Sequence, residues 1–104
     1  MNPEEAAQTI REKAPRYGEA KAQRVYLEEF RKSKKALLMK DALVLGYEAA
    51  NAQEREAYRN PTYIDHLDAM KTAIYNDEKL RFLIEAARAK ISAWQTMSKT
   101  GVDL

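Results

Sequence analysis

Cysteine is absent from the 104 residues, which removes disulfides, thiolate metal sites and thiol redox chemistry. Glycine and proline occur three times each, histidine and tryptophan once. So few glycines leave no glycine-rich phosphate loop, and no serine stands in a recognisable motif with the lone histidine and an orienting acid. No apolar run approaches the roughly 18 residues of a membrane span. The acidic start Met1-Asn2-Pro3-Glu4-Glu5 lacks the basic-then-apolar layout of a signal peptide. These absences lead us to expect a cytoplasmic, non-enzymatic protein that uses no cofactor, metal or small-molecule substrate and contacts no membrane.

What is present is helical. Charged residues make up 33% and apolar ones 45%, the balance of a soluble helical protein and enough for one core. From Tyr17 to Arg59 only Gly18 and Gly46 interrupt a helical tract, and from Thr62 to Thr100 nothing does. The strong break is Arg59-Asn60-Pro61. Asn2-Pro3 with Glu5, and Asn60-Pro61, both read as a capping side chain followed by proline at the first helical position. Pro15 and Gly18 predict a joint over residues 14–18. The expected fold is all-α: one domain over 1–104, a short helix at about 3–13, and a long antiparallel hairpin of helices at about 17–59 and 61–99. Lys99 and Gly101 supply the stop, with Val102-Asp103-Leu104 frayed beyond it.

Tyr26, Phe30, Leu37, Val44 and Tyr47 recur at helical spacing, with Leu27, Leu38, Leu45 and Ala49 beside them. From His66 the positions Met70, Ala73, Asp77, Leu80, Ile84, Ala87, Ile91, Trp94 and Ser98 alternate in steps of four and three, as in coiled coils. Asp77 in that series either fixes register as a polar core residue or is rotated out in favour of Ile74. Gly46 marks a close helix contact or a break in the rod, and the contact is the favoured expectation. A turn at residue 60 sets Leu37 to Leu45 opposite residues 76–84. Apolar residues then point in more directions than two helices can bury. A second copy of the chain, docking on Leu38, Met39, Leu43, Leu45, Phe82 and Leu83, is the expected cover.

Net charge is only +2, but its distribution is uneven: residues 11–40 carry ten cations against four acids, residues 41–78 three against eight, and residues 79–104 five against two. A turn at residue 60 would gather the basic segments at one end and leave the acids at the turn. The cluster Arg31-Lys32-Ser33-Lys34-Lys35 suits phosphates. Lys21, Arg24, Arg31, Lys32, Lys34, Lys35, Arg81, Arg88 and Lys90 are therefore the candidate nucleic-acid contacts. Against this, Glu28 and Glu29 stand at pairing distance from Arg31 and Lys32 along a helix, and a solvated charged face is the commoner meaning of such a run. Tyr26 and Trp94 read as core rather than as stacking platforms. Tyr58, Tyr63 and Tyr75 flank the turn, and with Glu54 and Glu56 they outline an acidic, tyrosine-bearing tip suited to a protein partner. His66 beside Asp65 and Asp68 reads as structural, because neighbours one and two residues apart on a helix point apart.

Three stretches, Lys34-Lys35-Ala36-Leu37-Leu38-Met39-Lys40, Ala49-Ala50-Asn51-Ala52-Gln53-Glu54-Arg55-Glu56-Ala57-Tyr58, and Leu80-Arg81-Phe82-Leu83 continuing to Ile91-Ser92-Ala93-Trp94, resemble small uncharacterised phage and prophage proteins. The similarity covers about residues 24–96. Such proteins accompany genes for phage recombination and single-strand DNA handling, so the resemblance implies an accessory role in DNA metabolism and carries no catalytic site. The functional expectation is a homodimeric binding protein whose basic end meets nucleic acid or a protein that processes it. The alternative is an inhibitor or adaptor directed at a host nuclease or defence complex through Glu54, Glu56, Tyr58 and Tyr63.

Overall fold

Asn2 opens the first helix as its spacing predicts, its Oδ1 accepting the Glu4 amide at 2.9 Å. In the computed structural model, which describes residues 2–101, three helices follow: α1 (Pro3–Val44), α2 (Ala50–Arg59) and α3 (Pro61–Lys99). The fold is all-α, with no strand among the described residues, and stretches of α1 and α3 pair as a helical hairpin. The fraying expected of Val102-Asp103-Leu104 lies outside the described residues.

Two boundaries differ from expectation. The short helix at 3–13 and the joint at 14–18 do not form, because α1 runs unbroken through Pro15 and Gly18. Proline there removes one amide donor from the helix interior. The residues that bracket it, Ile10, Ala14 and Tyr17, line a common hollow with Arg81, Ile84 and Arg88 of α3, and this packing holds the helix through the defect. Conversely, the helix expected to reach residue 59 stops at Val44. Gly46 adopts a φ of 107°, a left-handed conformation that glycine takes without steric cost. Its amide bonds Leu43 O at 3.0 Å while the Tyr47 amide bonds Ala42 O at 3.1 Å. These two bonds make a Schellman stop. Gly46 is thus a break and not a close contact; a Cβ added there would meet nothing within 4 Å. The expected cap of α3 does form: Asn60 Oδ1 accepts the Thr62 amide at 2.9 Å and the Thr62 hydroxyl at 2.8 Å.

The chain divides into two compact units, one of Met1–Lys21 with Tyr75–Leu104 and one of Ala22–Ile74. In the first, Ala6, Ile84, Ala87 and Asp77 are buried. Asp77 occupies the core position, at 5% exposure, while Ile74 is only half-buried; of the two roles open to it, rotation out of the seam is the one that fails. In the second, Leu27 packs with Met70 and Ala73, and Leu38 with Ala57 and Tyr63, Met39 lying against them. Leu27 would have stood level with Trp94 had α1 turned back at residue 60. The reversal instead occupies residues 45–60, α2 included, and this shifts every pairing between the long helices.

The α3 stripe matches the heptad: Met70, Ala73, Asp77, Ile84 and Ala87 are buried, His66, Leu80 and Ile91 half-buried. Its last two members, Trp94 and Ser98, are exposed, so Trp94 is not core. The inward stripe of α1 is not the expected one. It runs Ala6, Ile10, Lys13, Tyr17, Ala20, Arg24 and Leu27, all buried or half-buried and spaced by four and three. Tyr26 (60% exposed), Leu37 (55%) and Val44 (79%), expected as core, face outward. Of the expected dimer surface, Leu38 is enclosed by its own chain and Met39 partly so, while Leu43, Leu45, Phe82 and Leu83 remain exposed.

Candidate anion-binding site

Lys35 lies on the side of α1 that meets α2. Its ammonium sits 3.5 Å from Glu54 Oε1 and 4.9 Å from the centre of the Tyr58 ring, a cation–π distance. Tyr58 contacts Tyr63 edge to face, with ring centres 5.3 Å apart and an angle of 64°. Tyr63 is buried, whereas Tyr58 is 44% exposed; the inner ring therefore props the outer one. Tyr58 foremost, and Glu54 after it, hold the Lys35 pKa above its ordinary value, so this cation is already committed.

Arg31 and Lys32 are not committed in this way. Together with Lys35, Tyr58 and Tyr63 they line an open hollow of about 300 Å³. Both are exposed, and neither has an ion-pair partner among the described residues. The pairing expected with Glu28 does not form, because Glu28 bonds Arg24 at 2.9 Å. Two unneutralised cations beside an exposed ring, one turn of helix from a third cation, form a surface that can bind phosphate and stack a planar group.

The other candidates divide between the two units. Arg24, Arg31, Lys32, Lys34 and Lys35 belong to the second; Lys21, Arg81, Arg88 and Lys90 belong to the first. Within the second unit, the 31–35 cluster meets α2 through Lys35 and Glu54. Arg81 is held by Glu78 and by Glu85, the latter at 3.1 Å, and these partners, Glu78 first, raise its pKa. Lys90 lines a separate hollow of about 490 Å³ with Asn2, Glu5 and Thr9.

The acidic tip also changes meaning. Glu54 pairs with Lys35, Glu56 lies 3.4 Å from Arg59, and Tyr63 is buried, so both acids of the tip are engaged and one of its two tyrosines is enclosed. His66 is structural as expected, but by an unexpected route: its Nε2–H donates to the Leu27 carbonyl at 2.7 Å, and its ring lies 6.0 Å from that of Phe30. No group of three potential metal ligands occurs among the described residues, and no helix there is long and apolar enough to cross a membrane.

Sequence reasoning missed the inward-facing Lys13, Tyr17 and Arg24. Their signal is the alternation of fours and threes starting at Ala6, which large apolar residues elsewhere in α1 obscure. No protein-family model, curated protein or solved structure matches this chain.

Proposed function

We propose that the protein acts by binding rather than by catalysis, and that the hollow between α1 and α2 takes a single strand of nucleic acid. One observation carries this: Arg31 and Lys32 lie unpaired beside the exposed face of Tyr58. Phosphates would be drawn to the two cations, with the salt dependence that counterion release imposes. A neighbouring base would stack on Tyr58 without regard to sequence. The lone histidine is spent on a backbone carbonyl, which leaves the hollow lined by cations and phenols, groups suited to holding a ligand. The resemblance to phage proteins that accompany recombination genes points to an accessory role in phage DNA recombination or replication, in a host cytoplasm.

The test is fluorescence anisotropy of a labelled single-stranded oligonucleotide at two salt concentrations. Wild-type binding should weaken as salt rises. Arg31→Glu with Lys32→Glu should abolish it, and Tyr58→Ala should weaken it by about 1–3 kcal/mol, the worth of one stacked base. Arg88→Glu with Lys90→Glu should change it little. Absence of binding by the wild type would reject the proposal. The alternative, an inhibitor or adaptor of a host nuclease or defence complex, is the weaker, because Glu54 and Glu56 are engaged by Lys35 and Arg59 and Tyr63 is buried.

A further inference from the structure

The outward residues of α1 form a second heptad series. Tyr26, Phe30, Ser33, Leu37, Lys40 and Val44 succeed one another in steps of four, three, four, three and four, so at about 100° per residue they form one stripe along five turns. Five of the six are exposed, and Phe30 is half-buried. Val44 is 79%, Tyr26 60% and Leu37 55% exposed. Tyr26 and Phe30 stack their rings 5.9 Å apart along it. A helix with one seam inside its own fold and a second seam in solvent is built to meet two neighbours, and the chain supplies only the first.

The series is palindromic in spacing. Reversed about its midpoint, Tyr26 falls opposite Val44, Phe30 opposite Lys40, and Ser33 opposite Leu37. Each layer then sets a large side chain against a smaller or more flexible one, the alternation that lets helices interdigitate. The flanking charges agree. Glu29 and Lys40 lie on the same edge of the stripe, are exposed, and have no ion-pair partner among the described residues. In an antiparallel pair related by a twofold axis, Glu29 of each copy stands level, within one residue, with Lys40 of the other, so one contact becomes two. We infer that this stripe is the contact between two copies of the chain, docked antiparallel through Tyr26, Phe30, Leu37 and Val44 and keyed by reciprocal Glu29–Lys40 pairs. Lys35 projects from the opposite side of α1, which leaves the hollow beside Tyr58 open in both copies.

Sedimentation equilibrium across a dilution series tests it. The wild type should pass from 12.0 kDa to twice that mass as concentration rises. Glu29→Lys alone or Lys40→Glu alone should raise the dissociation constant at least about tenfold, since each sets like charges together twice. The double exchange should restore it. Leu37→Glu should hold the chain monomeric with unchanged circular dichroism, because Leu37 is not part of the fold's own core. Orientation is read separately: in a chain without cysteine, Tyr26→Cys mixed with Val44→Cys should form crosslinked dimers on mild oxidation, and neither alone should. A wild type monomeric throughout, a double exchange no tighter than the singles, or crosslinking by Tyr26→Cys alone would overturn the inference.

Discussion

Ala57 has no exposed surface, and a residue that small at that point is what lets α2 approach Leu38 and Tyr63 closely enough for Lys35 to reach Glu54 and Tyr58. The consequences for Lys35 are chemical. Because its partners favour the protonated form, its contribution to folding is complete below the ordinary lysine pKa of 10.5 and fades only as pH rises through the higher folded value. Its amine should therefore be a poorer nucleophile than that of Lys32. Under limiting amine-reactive reagent at mildly alkaline pH, peptide mapping should find Lys32 modified first, and Glu54→Gln should narrow the difference. None of this is legible in the sequence, which pairs Glu28 with the basic cluster by helical spacing. Arg24 stands one turn earlier on the same spacing and takes Glu28 instead, and the partner of Lys35 is nineteen residues away on another helix.

At the scale of elements, the two glycines of the hairpin's first limb should respond oppositely to the same change. Gly18 lies within α1, and a methyl group added to it would meet nothing within 4 Å. Gly18→Ala should therefore raise stability by about 1 kcal/mol, read as an increase in Tm of about 4–8 °C for a chain of this size. Gly46→Ala forces an alanine to a φ of 107° and should lower stability by about 1–3 kcal/mol, measured in the same thermal melts. Proline and glycine are strong punctuation in a sequence, yet Pro15 and Gly18 do not stop a helix whereas Gly46 does. The difference is tertiary: Ile10 and Tyr17 are half-buried on the stripe of α1 that turns inward, while Val44 and Leu45, each 79% exposed, have nothing to hold the helix on. The helix α3 is legible over most of its length, because the steps of four and three from His66 mark its inward residues whatever their size, Ala73, Asp77 and Ala87 included. In α1, small and amphipathic residues such as Ala6, Lys13 and Ala20 turn inward and large ones such as Tyr26 and Leu37 turn out, so hydrophobic size alone selects the wrong face.

For the whole molecule, the misjudged reversal has an electrostatic result. With residues 45–60 as the turn, the cation-rich part of α1 from Ala22 to Lys40 shares a unit with Glu54, Glu56, Asp65 and Asp68. The lengthwise separation of charge expected from a turn at residue 60 is thereby largely cancelled, and what attraction remains for an anion is local to Arg31 and Lys32. Binding by that hollow should thus show a shallow salt dependence, a slope of log K against log salt of roughly −1 to −2, as two phosphates on a single strand would give; a much steeper slope would mean that the other basic residues take part.

One unit is a continuous stretch of chain and the other is assembled from its two extremities. Contacts such as Leu38 with Ala57 span few residues and can form early, whereas Ala6 must find partners some eighty positions away along the chain, at a far greater loop-closure entropy. Folding should proceed outward from the reversal, like a zip drawn from its closed end. In native-state hydrogen exchange the amides around Leu38 and Ala57 should be the slowest, with those around Ala6 and Ala87 opening first. A label or fusion attached at either terminus would load the last-formed and first-lost part of the molecule.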